Sequence, residues 1–111
     1  MSTTQKPCVY RVDKFSVPAT ARDVFTEKVQ ATHSLLKKQP GFIQDFILEQ
    51  TDGSGTFNFV TIVEWESMEA IEQAKYEVHK LHRQLDFDPK ELLPRLGIKA
   101  DLGNYKRYAP K

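Results

Sequence analysis

A single cysteine, Cys8, excludes any internal disulfide. Nothing in the chain therefore asks for an oxidising compartment. Cys8 sits in no Cys-x-x-Cys or nucleophile motif, so it is read as a bystander. A surplus of charge is missing too: sixteen basic residues face fifteen acidic ones, for a net +1. That balance excludes long-range attraction to nucleic acid or to an anionic membrane. No apolar run approaches membrane-spanning length. The segment Met1–Lys6 is polar with no apolar core, so no signal peptide is expected and a cytoplasmic location is the default. Internal repeats and low-complexity tracts are absent. So are the Gly-rich dinucleotide fingerprint, the P-loop, the zinc signatures and the nucleophile elbow. No motif suggests flavin, nicotinamide, metal or any other cofactor.

What is present suits one small globular domain: 111 residues, 40% hydrophobic and 28% charged. Such a chain buries a modest core, and further apolar surface would need a partner chain to cover it. The expected division is a flexible N-terminus over residues 1–8 and one domain over 9–111. Val9–Val17 alternates as a strand and Pro18 ends it. Thr20 then reads as a helix N-cap, with Asp23 completing a capping-box-like pair. Ala21, Val24, Phe25, Leu35 and Leu36 share one helical face, and Pro40-Gly41 stops the helix.

Phe42–Thr51 and Phe57–Glu66 read as strands joined through Asp52-Gly53-Ser54-Gly55. Phe57, Phe59, Val63 and Trp65 mark one face of the later strand, Val60 and Ile62 the other. A strand apolar on both faces needs cover on both. Helices cover one face, and a second copy of the chain is the natural cover for the other. Ser67 caps the next helix, whose stripe Ile71, Ala74, Val78, Leu81, Leu85 is spaced 3-4-3-4. Asp88-Pro89 starts a short third helix that ends at Gly97. Ala100–Tyr108 reads as the last strand. The order β-α-β-β-α-(α)-β predicts an α+β, ferredoxin-like split βαβ fold: a four-stranded antiparallel sheet, helices on one face, the other face dimerising.

Pro40-Gly41-Phe42, the hairpin, and Trp65-Glu66-Ser67 followed by Glu69-Ala70 together resemble the antibiotic biosynthesis monooxygenase family over roughly Val9–His82. The resemblance implies a homodimeric α/β barrel with a pocket in each subunit between sheet and helices. Members of that family include cofactor-free oxygenases of anthrones and quinols, and haem-degrading enzymes. The implied activity is a cofactor-independent monooxygenation of a small aromatic or quinol-like substrate with O₂. A non-catalytic dimeric small-molecule-binding domain, or an isomerase or decarboxylase on the same fold, are the alternatives. Members of the haem-degrading branch resemble one another in a first-strand Asn, a Trp within the second helix and a His at that helix's end. Here those positions fall at Asp13, near Ala74 and, with an offset, at His82, which speaks against a haem role.

The candidate catalytic residues are His82, Trp65 and Asp13, and the candidate substrate wall is Trp65, Phe15 and Phe59. Trp65 offers a stacking surface and an indole N–H, and it also suits a plain core position. His82 lies beside the apolar stripe of the second helix, whereas His79 points well away from it. A metal shared by the two is therefore not expected. His33, on the flank of the first helix, reads as a boundary residue. Arg11 and Asp13 sit mid-strand, where unpaired charges would be costly. A pocket, an ion pair and a subunit contact all remain open for them. Asn58 is read as facing away from Trp65, towards an interface.

Overall fold

The computed structural model describes residues 8–108; the rest of the expected flexible N-terminus lies outside them. The elements follow the predicted order: β1 (Val9–Ser16), α1 (Arg22–Leu36), β2 (Phe42–Glu49), β3 (Phe59–Trp65), α2 (Met68–Gln84), α3 (Pro89–Arg95) and β4 (Lys99–Tyr105). The strands form one antiparallel sheet in the order β2-β3-β1-β4. This is the ferredoxin-like α+β architecture.

Helix starts follow local chemistry at two of three places. Ser67 Oγ accepts the Ala70 amide at 3.1 Å, and Asp88 Oδ1 accepts that of Lys90 at 3.0 Å, with Pro89 at the first helical position. The third differs from expectation. A 3₁₀ turn, Ala19–Ala21, precedes α1, and Ala21 donates to the Pro18 carbonyl at 2.9 Å. The chain turns directly after Pro18, so Thr20 falls inside the turn and caps nothing. At the far end of α1, Gly41 adopts a left-handed φ of +87°.

The apolar core comes in two parts. Phe15, Val17, Ala21, Phe25, Phe59 and Ile98 fill one end of the helix-covered face. Phe25 meets the rings of Phe15 and Phe59 at 4.9 and 5.0 Å. Val63, Trp65, Ile71 and Ala74 fill the other end. Asn58 closes the first part: its side chain accepts from the Val17 amide at 2.8 Å and donates to the Val17 carbonyl at 2.9 Å. It thus clamps the end of β1, a structural task rather than the interface role expected of it.

The opposite face of the sheet carries Val12, Val60, Ile62, Phe46 and Leu48, and among the described residues no helix covers it. Phe46 and Leu48 remain 48% and 49% exposed. At one end of that face Gln44 donates to Glu64 at 2.7 Å, Tyr10 donates to Glu64 at 3.2 Å, and Arg107 donates to Tyr10 at 2.9 Å. The hydrogen bond from Gln44 holds the Glu64 carboxyl below its usual range.

Gly41 gives a sharp stability test. A Cβ there would lie 2.5 Å from Ala70 Cβ, in a backbone conformation L-residues resist. Gly41→Ala is expected to cost roughly 2–4 kcal/mol in urea unfolding. Gly55→Ala, which meets only the end of Gln50 at 3.4 Å, is expected to stay within about 0.5 kcal/mol.

Candidate active site

Between the two apolar clusters the sheet presents polar side chains. Asp13 pairs across to Thr61, and Arg11 to Val63, which pairs on to Asp45. Asp45 reaches this face because of a bulge. The register of β2 against β3 shifts between Phe42 and Gln44, so the alternation reverses and Asp45 turns towards the helices. Above this row, between α1, α2 and α3, lies a cavity of about 480 Å³. That volume falls within the roughly 300–1,000 Å³ of small-molecule sites. Its walls are mainly apolar.

His33 descends from α1 onto this row. It is 6% exposed, and its Nδ1 lies 2.8 Å from Asp45 Oδ2. With Asp45 accepting the Nδ1 hydrogen, the neutral ring keeps its lone pair on Nε2. His33 lines the cavity and Asp45 stands behind it. On the other side Arg11 Nε lies 2.6 Å from Asp13 Oδ1. Burial raises the Asp13 carboxyl above its ordinary value, and the Arg11 hydrogen bond and the Arg11 charge pull it back. Only the Nε of Arg11 is engaged among the described residues, so its two terminal nitrogens are available to the cavity. The mid-strand charges thus form an ion pair and line a pocket at once.

The predicted residues are spread along the cavity. Trp65, 2% exposed, closes one end, its ring edge-to-face with Phe42 at 5.8 Å. His82 lies towards the other end, with Nε2 3.4 Å from Thr32 Oγ1 and its ring edge-to-face with Phe87 at 4.8 Å. Ala74 packs with Trp65, and His82 follows it by eight residues, about 12 Å along the helix. Trp65 and His82 therefore do not meet. Asp13 is at mid-floor and Phe15 on the wall. Phe59 packs beneath Phe25 in the core rather than on the wall. His79, expected to point away, stands exposed at the cavity rim. His33, expected at a boundary, is the buried one.

No group of three or more potential metal ligands occurs among the described residues. His82 turns its ring towards Thr32 and Phe87.

The model of the antibiotic biosynthesis monooxygenase family matches residues 9–80. The chain belongs to this family. Membership supports a monooxygenase-type function. No curated protein matches the chain. Among solved structures it is similar to SnoaB, a cofactor-independent oxygenase from Streptomyces nogalater, at 21% identity and a TM-score of 0.69, covering 94% of this chain and 96% of that one. It is also similar to MhuD, in a mutant with two manganese protoporphyrin IX bound per active site, at 18% identity, TM-score 0.69 and 93% and 97% coverage. A conserved protein from Methanosarcina mazei Go1 matches at 16% identity, TM-score 0.65 and 94% and 96% coverage. At such identities these likenesses show the shared fold. No helix of the described chain is long and apolar enough to cross a membrane.

His82 makes a pH prediction for this family member. Burial first, then the charges of His79 and Lys28, lower its imidazole below the ordinary 6.5, against a smaller opposing pull from Asp88. The folded chain then binds fewer protons than the unfolded one as pH falls through 6.5, so stability drops on that side. His82→Gln is expected to lose less Tm between pH 7.5 and 5 than the parent does.

Proposed function

We propose that this chain is a cofactor-independent monooxygenase that oxidises a small aromatic, anthrone- or quinol-like molecule with O₂. The observation that carries this reading is the convergence, mid-floor in an apolar cavity, of a carboxylate-held histidine and a half-used guanidinium.

Such chemistry needs a substrate that reduces O₂ once deprotonated. His33 Nε2 takes the acidic proton, and Asp45 keeps the ring in the required tautomer and steadies the imidazolium. The Arg11 terminal nitrogens stabilise the resulting oxyanion, and Asp13 holds them in place. The electron-rich anion passes one electron to O₂, and superoxide joins the carbon radical to give a peroxide. For an anthrone, the peroxide takes up the proton and water is eliminated. One oxygen stays as the new carbonyl and the other leaves in water. Apolar walls, Trp65 and Phe15 among them, seat the rings and keep bulk water out. This reading moves the base from His82 or Asp13 to His33, because His33 is the buried histidine and has a carboxylate partner that sets its tautomer.

A homodimer belongs to the same reading. The uncovered apolar face with Phe46, Leu48, Val60 and Ile62 supports a second copy packing there. A cytoplasmic location is supported by a lone cysteine that needs no oxidant.

The test is oxygen uptake by metal-stripped protein given anthrones and reduced naphthoquinones. His33→Gln is expected to slow turnover by about 10²–10⁴-fold and Arg11→Met by about 10²–10³-fold. Asp45→Asn is expected to lower kcat with little change in KM and to alter the pH profile. Trp65→Phe and His82→Ala are expected to retain most activity. Product formed without oxygen consumption would move the same base to an isomerase or decarboxylase. Ligand binding with no turnover at all would favour a binding domain. For the dimer, light scattering on the parent is expected to give twice the chain mass, and Ile62→Lys a monomer.

A further inference from the structure

Positive charge collects at the mouth of the cavity. Lys75, His79 and His82 follow one another at i, i+4 and i+7 along the cavity side of α2. Lys28 faces them from α1, with its Nζ 4.9 Å from the centre of the Phe87 ring, and Phe87 in turn lies against His82. Lys90 comes from the start of α3. In a chain whose charges sum to only +1 overall, this gathering is local.

The acids that line the cavity offset it only in part. Asp13 is taken by Arg11 on the floor, and Asp88, which accepts from the Lys90 amide, offsets one of the three lysine charges. Among the glutamates of α2, Glu72 lies 3.9 Å from Lys75 and Glu77 3.8 Å from Lys80, outside the cavity. Such exposed pairs hold a lysine only weakly. Burial is the first cause of the lowered His82 imidazole, and the nearby charges of His79 and Lys28 add to it.

We infer that the cavity selects anionic aromatic ligands: fused rings lie along the apolar walls, and a carboxylate or similar acid group sits at the mouth among Lys28, Lys75 and Lys90. The inference deepens the oxygenase reading by naming its substrate class. It makes the substrate amphipathic, with the reacting carbon near His33 and the acid group at the opposite, solvent-facing end. Electrostatic attraction at the mouth also steers such an anion inwards.

The experiment compares two fluorescent ligands of one ring system, 9-anthracenecarboxylate and 9-anthracenemethanol, titrated against the full chain at pH 8 and low salt. The acid is expected to bind about tenfold tighter than the alcohol, and the gap to narrow as salt is added. In K28Q/K75Q/K90Q, three substitutions at the cavity mouth that spare the buried core, the preference is expected to shrink to about twofold or less. Affinity for the alcohol is expected to stay unchanged. Equal binding of acid and alcohol by the parent, a preference that survives in the triple variant, or binding of neither ligand would each overturn the inference. Because the readout is binding, its failure is separate from failure of the oxygenase reading. An intact preference without oxygen uptake removes only the latter, and uptake without preference removes only the former.

Discussion

The structure turns on a polar row across the middle of its sheet. Arg11, Asp13, Thr61 and Asp45 occupy positions that an ordinary small domain would fill with Val or Leu. Charges withdrawn even partly from water need partners, and here the partners are at hand: Arg11 for Asp13, and His33 for Asp45. The row splits the core into two apolar clusters and leaves the cavity between them. A chain of 111 residues has little core to spare, so a gap this large at its centre is a substantial concession of stability to a site.

The elements around the row hold it open. Phe15, Phe25 and Phe59 form a rigid aromatic wedge at one end, and Trp65 with Phe42, Ile71 and Ala74 forms another at the opposite end. Between these supports α1 and α2 span the sheet. The bidentate pair of Arg22 with Glu49, at 2.7 and 2.8 Å, ties the start of α1 to the end of β2. The third helix roofs the mouth, between a left-handed Asp86 and a left-handed Gly97. Arg11 and Asp13 from β1, Asp45 from β2, Thr61 from β3 and His33 from α1 thus meet from four elements that no single segment brings together.

Much of the fold was legible in local signals. The Ser67 and Asp88 caps, the Gly41 stop and the stripe of α2 from Ile71 to Leu81 are each decided by neighbours in the chain and stand as read, whereas Leu85, expected to end the stripe, falls at the C-cap and is exposed. Thr20 was not legible in the same way, because the turn made by Pro18 competes with its capping geometry. The site was half legible. Asp13, Phe15, Trp65 and His82 do border one cavity. His33 escaped because its helix flank looks polar, and only the carboxylate beneath it makes that flank an inside. Asp45 escaped because the bulge reverses the alternation of β2, and no residue type announces a bulge there.

By itself the sequence determined element order, the starts of the second and third helices and the balance of charge, since these depend on contacts a few residues apart. It also determined that the strands carry more apolar surface than their own helices cover. The tertiary structure alone decided that His33 meets Asp45, that Phe59 belongs to the core, and that the basic residues of three helices share one mouth. Those outcomes depend on strand register and helix rotation. A shift of one residue in either sends a side chain to the opposite face, and only the packed whole fixes both.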